Sequence, residues 1–333
     1  LQTAVCGCWP KNRGDVAVSI APLHFLKIYR KTINKGVADL ITIPAKTIVT
    51  RTKSTEWFGS EYNMNIYRGC SHGCIYCDSR SACYGDDNFD TVKVKENALA
   101  IIKNDLRRKA QTGVVATGAM SDPYNPLERE LQLTRHALEL LSAYGFGVTI
   151  ATKSDLITRD IDILHEIKEN APVLCKLTVT TCDDRLAQKL EPRAPVSSCR
   201  FAAVEALSRA GIFAGILLMP VLPFLEDSIE NVEGVVNRAA ESGARFIYPA
   251  FGVTLRQNQR EWYFDALVEI FPGEGLKARY ARRYGNSYEC RSPNAAALWQ
   301  HFATLCDQKG ILYNIKDIIR CYRQPYQQQL SLF

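Results

Sequence analysis

The sequence predicts an α/β fold in which parallel strands alternate with helical crossovers. Two patterns carry this: short runs rich in β-branched and apolar residues recur from Ile43 to about Ala250, and amphipathic stretches of helical period fill the intervals. The third observation is bulk composition. A chain of 333 residues, 47% hydrophobic and 23% charged, can bury one sizeable core and belongs to neither the disordered nor the membrane class.

The expected strands centre near Ile66, Val115, Val148, Leu177, Ile216 and Ile247. Between them helices are expected over 96–111, 127–144, 160–168, 197–210 and 228–241, with Gly145 and Gly211 where C-caps belong. Six such units are too few for a closed eight-stranded barrel and leave an open sheet or a partial barrel; both put chemistry at the C-terminal ends of the strands. After Ala250 the alternation stops. Helices follow over 259–271 and 294–309, the second entered through Ser292 and Pro293, then a short one near 317–320 and a polar tail over 324–329. The expected organisation is an extension over 1–43, a main unit over 44–255, a helical region over 256–323 and a mobile tail over 324–333. The extension starts at Leu1, carries Cys6 and Cys8 without clear periodicity, and reads as a fragment edge, a misassigned start or a loosely packed arm.

No apolar run reaches the roughly 18 residues of a spanning helix, and no secretory signal pattern opens the chain. Twelve cysteines in so long and periodic a chain argue for a reducing cytoplasm rather than a disulfide scaffold. A net charge of +6 permits a polyanionic partner without requiring one.

Directly after the first expected strand comes Cys70-Ser-His-Gly-Cys74-Ile-Tyr-Cys77. Three thiolates on one tight loop can ligate three irons of a 4Fe-4S cubane and leave the fourth open to an exogenous ligand. Cys83 or His72 could complete a structural metal site instead. Cys175, Cys182, Cys199, Cys290, Cys306 and Cys321 show no ligand spacing. Further motifs recur at later strand ends: Ser121-Asp122 in a proline-rich turn, where either residue could cap a helix; Thr152-Lys153-Ser154; Thr178 and Thr180; Leu190-Glu191-Pro192 and Pro195 to Arg200; and Met219-Pro220 to Pro223.

The triplet resembles the signature of radical S-adenosylmethionine (SAM) enzymes. That resemblance implies that the open iron chelates the amino and carboxylate groups of SAM, and that one electron, from a reductant such as a flavodoxin or ferredoxin, cleaves it to a 5′-deoxyadenosyl radical. Tyr76 stands where such enzymes place an aromatic residue against the adenine. With the downstream motifs, the stretch from about Tyr62 to Ala250 is similar to the spore photoproduct lyase-like branch, also described as DNA repair photolyase-like. It implies a partial (β/α)6 TIM-type barrel with a C-terminal helical extension, SAM contacts at Ser121, Asp122, Lys153, Thr178 and Arg200, and a lyase-like reaction on DNA.

Two residues depart from that pattern. Met120 occupies the place of a hydrogen-donating cysteine, and a thioether has no S–H to give; Asp78 replaces a tyrosine beside the last ligand. Cys83 and Tyr84, close by in sequence, are the alternative donors. A nucleic-acid partner is suggested by Arg279, Arg282 and Arg283 interleaved with Tyr280 and Tyr284. The terminal Gln329-Leu330-Ser331-Leu332-Phe333 resembles the peptide by which bacterial replication and repair proteins dock on the sliding clamp. The expected function is a radical SAM enzyme acting on DNA in repair. Its alternatives are radical modification of a peptide, RNA or small metabolite, and a non-catalytic iron-sulfur or zinc module.

Overall fold

A computed structural model describes residues 40–85 and 88–327, and for Gln327 the backbone alone. The clamp-like residues Gln329, Leu330, Leu332 and Phe333, and all but the last residues of the expected N-terminal extension, lie outside the described residues. Two short strands, β1 (Thr42–Ile43) and β2 (Val49–Arg51), precede β3 (Tyr62–Met64), β4 (Tyr67–Arg68) and β5 (Lys93–Lys95). Then come α1 (Ala98–Arg107), β6 (Val114–Thr117), α2 (Glu128–Leu131), α3 (Leu133–Ala143), β7 (Gly147–Thr152), α4 (Ile161–Asn170) and β8 (Val173–Thr178). The pattern continues with α5 (Asp184–Leu190), α6 (Ser197–Arg209), β9 (Ala214–Leu218), α7 (Ile229–Glu241) and β10 (Ile247–Pro249). The remainder is β11 (Gly252–Thr254), α8 (Gln259–Ile270), α9 (Leu276–Tyr284), β12 (Glu289–Arg291), α10 (Ala295–Lys309) and α11 (Ile315–Gln327).

The main sheet runs β10-β9-β8-β7-β6-β3-β2, with β3 and β6 to β10 parallel and β2 antiparallel at the edge. Because the parallel strands follow one another in chain order, right-handed crossovers place the helices that connect them on the same face, and the sheet curls around the other. That is the partial (β/α)6 barrel. Strands β6, β8 and β9 are buried at every position, as strands covered on both faces must be. On the inner face Gly215 is required by packing: a Cβ there would fall 2.4 Å from the ring of Phe246.

Four expectations change. Ile66 lies between β3 and β4 rather than at a strand centre, and the first barrel strand is Tyr62–Met64. The single helix expected over 127–144 is two, broken at Gln132 (φ 51°), because the buried carboxylate of Glu128 turns back to accept the amide of Thr134 at 2.7 Å. The stretch bearing Arg279, Arg282 and Arg283 is the helix α9, pinned by fully buried Tyr280. Helix α11 is longer than the pattern suggests and passes through Pro325. Tertiary anchors hold it, among them Tyr322 Oη donating to Phe58 O (2.7 Å) and Tyr326 Oη to Lys168 O (2.6 Å).

Candidate active site at the strand C-termini

Strand β3 delivers the chain to the C-terminal face, where the loop with Cys70, Cys74 and Cys77 begins. Gly69 (φ 79°) starts it, and a Cβ there would meet Thr91 O at 2.3 Å, so no other residue lets the loop turn this closely against 89–91. Two segments then grip the loop. From the barrel, Leu190 O accepts Ile75 N at 3.0 Å and Arg193 N donates to His72 O at 3.0 Å. From the C-terminal part, Gln259 Nε2 donates to Tyr76 O at 3.0 Å and Arg256 Nε to Asp78 Oδ1 at 2.9 Å. Tyr263, Phe264 and Tyr280 pack with Cys74, Ile75 and Tyr76 in one apolar cluster.

The three cysteines open onto a cavity of about 380 Å³ whose walls include Ser121, Asp122, Lys153 and Thr178. Motifs spread over more than a hundred residues thus meet in one place, each at a strand end. Among the described residues no three His, Cys, Asp or Glu side chains converge on a single metal ion. Three thiols at one cavity suit a 4Fe-4S cluster with one iron left open, and fall one short of the four protein ligands of a structural zinc site. Burial raises all three thiol pKa values; that of Cys70 is pushed up to about 11, with Asp122 adding to the effect. Ligation must therefore expel protons that the cofactor-free protein retains. Lys153 opposes the rise at Cys74 and Cys77.

Asp122 braces the site. Its Oδ1 accepts Tyr124 N (2.9 Å) and Thr152 Oγ1 (2.6 Å); its Oδ2 accepts Lys153 N (2.7 Å) and faces His72 Nε2 at 3.1 Å. Burial alone would raise its pKa, but His72 and these donors hold it down at about 2. It ties the loops after β6 and β7 to the cysteine loop, and does not cap a helix as the turn sequence suggests. The same contact turns one nitrogen of His72 toward Asp122. Ser121 Oγ donates to Tyr67 O at 3.0 Å.

Beside the cavity lies a second buried group centred on Glu191. Tyr76 Oη donates to it, Arg200 pairs with it, and Lys153 Nζ stands 3.9 Å away and 5.6 Å from the Tyr76 ring. Arg200 also donates to Thr178 O (2.9 Å) and Pro195 O (2.7 Å), so its guanidinium is spent inside the protein and Tyr76 and Arg200 stand behind the cavity wall. Cys83 is exposed beside Ser81 Oγ at 2.9 Å, and Tyr84 Oη donates to Asp78 at 3.2 Å; neither lines the cavity. Arg279 lies 4.4 Å over the Phe224 ring, while Arg282 and Arg283 are exposed. Sequence reasoning missed Gln259, Arg256 and Trp57, the last a half-exposed aromatic in the cavity wall. A larger cavity of about 550 Å³ lies at the opposite strand ends, against α11, and brings no comparable chemistry together.

Comparison with known proteins agrees with this geometry. The model of the Radical SAM superfamily matches residues 64–234. An uncharacterized protein of Mycobacterium tuberculosis (strain H37Rv) is 34% identical over 230 residues, covering 67% of this chain and 67% of the relative. A mutant spore photoproduct lyase with bound AdoMet and dinucleoside spore photoproduct shares the fold, with a TM-score of 0.64 at 15% identity over 87% of this chain and 94% of that one. The radical SAM Nalpha-GlyT isomerase of Pseudomonas phage M6 is 24% identical over 182 residues, 55% of this chain and 37% of the isomerase.

Proposed function

Because the chain belongs to the radical SAM superfamily, whose chemistry runs on a 4Fe-4S cluster and S-adenosylmethionine, we propose that this enzyme directs a radical reaction at DNA, in repair or modification. The observation that carries the reading is the shared cavity of Cys70, Cys74 and Cys77 with Ser121, Lys153 and Thr178. When bound, the two cofactors supply a carbon radical able to take a hydrogen atom from an unactivated position. The chain does the rest. Cys70, Cys74 and Cys77 hold the cluster, and Lys153, kept charged beside Glu191 and Cys74 against the pull of burial, offers a cation for the carboxylate of SAM. Ser121 and Thr178 add polar contacts, and the apolar packing behind Tyr76 keeps water from the loop.

DNA as substrate is supported by what two similar proteins handle, a dinucleoside photoproduct in one and Nalpha-GlyT in the other. Met120, in the wall of the cavity, argues against a hydrogen relay through a thiol at that position. Cys83 and Tyr84 remain the nearest candidate donors in sequence, and would need to approach the cavity to act. The reading carries two partners, an external one-electron reductant and, through Gln329 to Phe333, a sliding clamp.

The test is anaerobic reconstitution with iron and sulfide, then assay with SAM and dithionite on irradiated and undamaged DNA. Reductant-dependent 5′-deoxyadenosine and a new nucleoside product are expected. Deoxyadenosine without change in either DNA would overturn the substrate, and its absence from cluster-loaded protein would overturn the enzyme.

A further inference from the structure

The segment between β2 and β3 closes the side of the partial barrel that the sheet leaves open. It contains two consecutive left-handed residues, Phe58 (φ 49°) and Gly59 (φ 68°). A bulky aromatic is seldom held in that conformation, and such strain gathers at ligand clamps and active sites. Here it is held by burial: Phe58 is wholly enclosed, its ring against Phe246 and Tyr248 and its carbonyl accepting from Tyr322.

The preceding residue behaves differently. Trp57 is 45% exposed, and it lines the cavity that holds the three cysteines. Its ring meets Phe58 at 5.0 Å and Tyr248 at 5.4 Å, each at 87°, two edge contacts that fix its plane. Tyr248 belongs to β10, the last parallel strand, whereas Trp57 leads into β3, the first. The indole therefore stands at the seam between the two ends of the sheet. Met120, 42% exposed, lines the same cavity from the loop after β6. The other exposed large hydrophobic side chains among the described residues, such as Trp262 and Trp299, lie away from that cavity.

A half-exposed aromatic next to a strained turn, its plane set by two edge contacts, offers at the mouth of a cavity with polar walls one flat apolar face beside hydrogen-bonding groups. A planar heteroaromatic ring with a polar edge is the matching ligand. We propose that Trp57 is the stacking platform on which the substrate's nucleobase, unpaired or turned out of its duplex, is presented to the site, with Met120 as a second apolar contact. This rests on the nucleic-acid reading above and adds the residue that recognises the base.

The experiment measures binding of a labelled short oligothymidylate to the cluster-loaded full chain by fluorescence anisotropy, and SAM binding in parallel. The variants are Trp57→Leu, which keeps apolar bulk but loses the flat face, Trp57→Phe, which keeps a ring, and Trp299→Phe as a control. Stacking on one ring predicts that W57L weakens oligonucleotide binding about tenfold or more, that W57F stays within about threefold, and that SAM affinity is unchanged in both. Melting curves matching the unsubstituted protein show that W57L is folded; if it is not, W57F carries the test, and a loss as large as that of a missing ring overturns the platform. Equal oligonucleotide affinity in W57L overturns it too, as does loss of SAM binding in W57L, which would assign the indole to the cofactor. Displacement by an aromatic peptide but not by oligonucleotide would assign the platform to a protein substrate. If the unsubstituted protein cleaves SAM yet binds no oligonucleotide, the nucleic-acid reading itself fails, a different result from the failure of Trp57 alone.

Discussion

Lys176 lies in the middle of β8, on the same face as Thr178, with 2% of its surface exposed. Its ammonium sits 4.5 Å from the centre of the Phe58 ring, and no described carboxylate pairs with it. Burial pushes its pKa down to about 7, with only the neighbouring Cys175 opposing. An unfolded lysine titrates near 10.4, so between about pH 7 and 10 the unfolded chain binds a proton that the folded chain refuses. Stability from this group is therefore lost as pH falls through that window, by up to about 1.4 kcal/mol per unit, and is flat below it. Lys176→Met should stabilise the fold by a few kcal/mol at pH 7, less at pH 9. Glu226, whose carboxyl burial raises to about 8, acts in the opposite sense below that pH, and cancels when the two proteins are compared at each pH. Denaturant unfolding of both at pH 7 and 9 is the check; parallel pH slopes would show that Lys176 is not neutralised by burial. The sequence marks this strand by its apolar run but cannot say that the lysine within it is buried, because a single polar residue leaves no period.

At the scale of elements, the cysteine loop depends on a helix that enters the chain far later. Gln259 is fully buried at the start of α8; its Oε1 accepts Arg256 N at 2.8 Å, and its Nε2 holds the carbonyl of Tyr76, between the second and third cysteines. Gln259→Glu keeps the volume and the first bond, removes the second, and sets a carboxylate against the carbonyl. Leaving a buried acceptor unpaired costs about 1–3 kcal/mol, enough to raise the population of an opened loop about fivefold or more. In cofactor-free protein the expected result is faster alkylation at Cys74, which is 7% exposed, with none at fully buried Cys306. Equal rates at Cys74 in both proteins would remove Gln259 from the account. The cysteine spacing was legible because chemistry fixes it locally, and so was the start of α8, because its period is local too. The bond joining them spans 183 residues and has no signature in either segment. For the same reason the pairing of Arg200 with the buried carboxylate of Glu191 leaves no mark in either segment of the sequence.

For the whole molecule, chain-order strand pairing was foreseeable from alternating periods, and with it the face on which the site would lie. What closes the structure was not. The seam loop and α11 join through Tyr322, Arg323 and Ile318, and the pattern of α11 alone gives no hint that its buried side reaches Phe58. This contact links the end of the described chain to the strained turn beside the cavity. Removing one hydroxyl tests the link without emptying the core: Tyr322→Phe deletes the bond to Phe58 O and keeps the ring in place. The expected cost is about 1 kcal/mol, a fall of about 2 °C in melting temperature for a chain of this size. Released from that bond, the left-handed pair should relax more often, breaking the Gly59 N to Thr55 O hydrogen bond. Hydrogen exchange should therefore quicken at Gly59 and stay unchanged at Ile75, whose amide is held by Leu190 on the far side of the cavity wall. Exchange at Gly59 that does not respond would mean that burial of Phe58 alone maintains the turn. A response would make α11 the element that keeps Trp57 in position, and would tie substrate recognition at the seam to a helix that never reaches the cysteines.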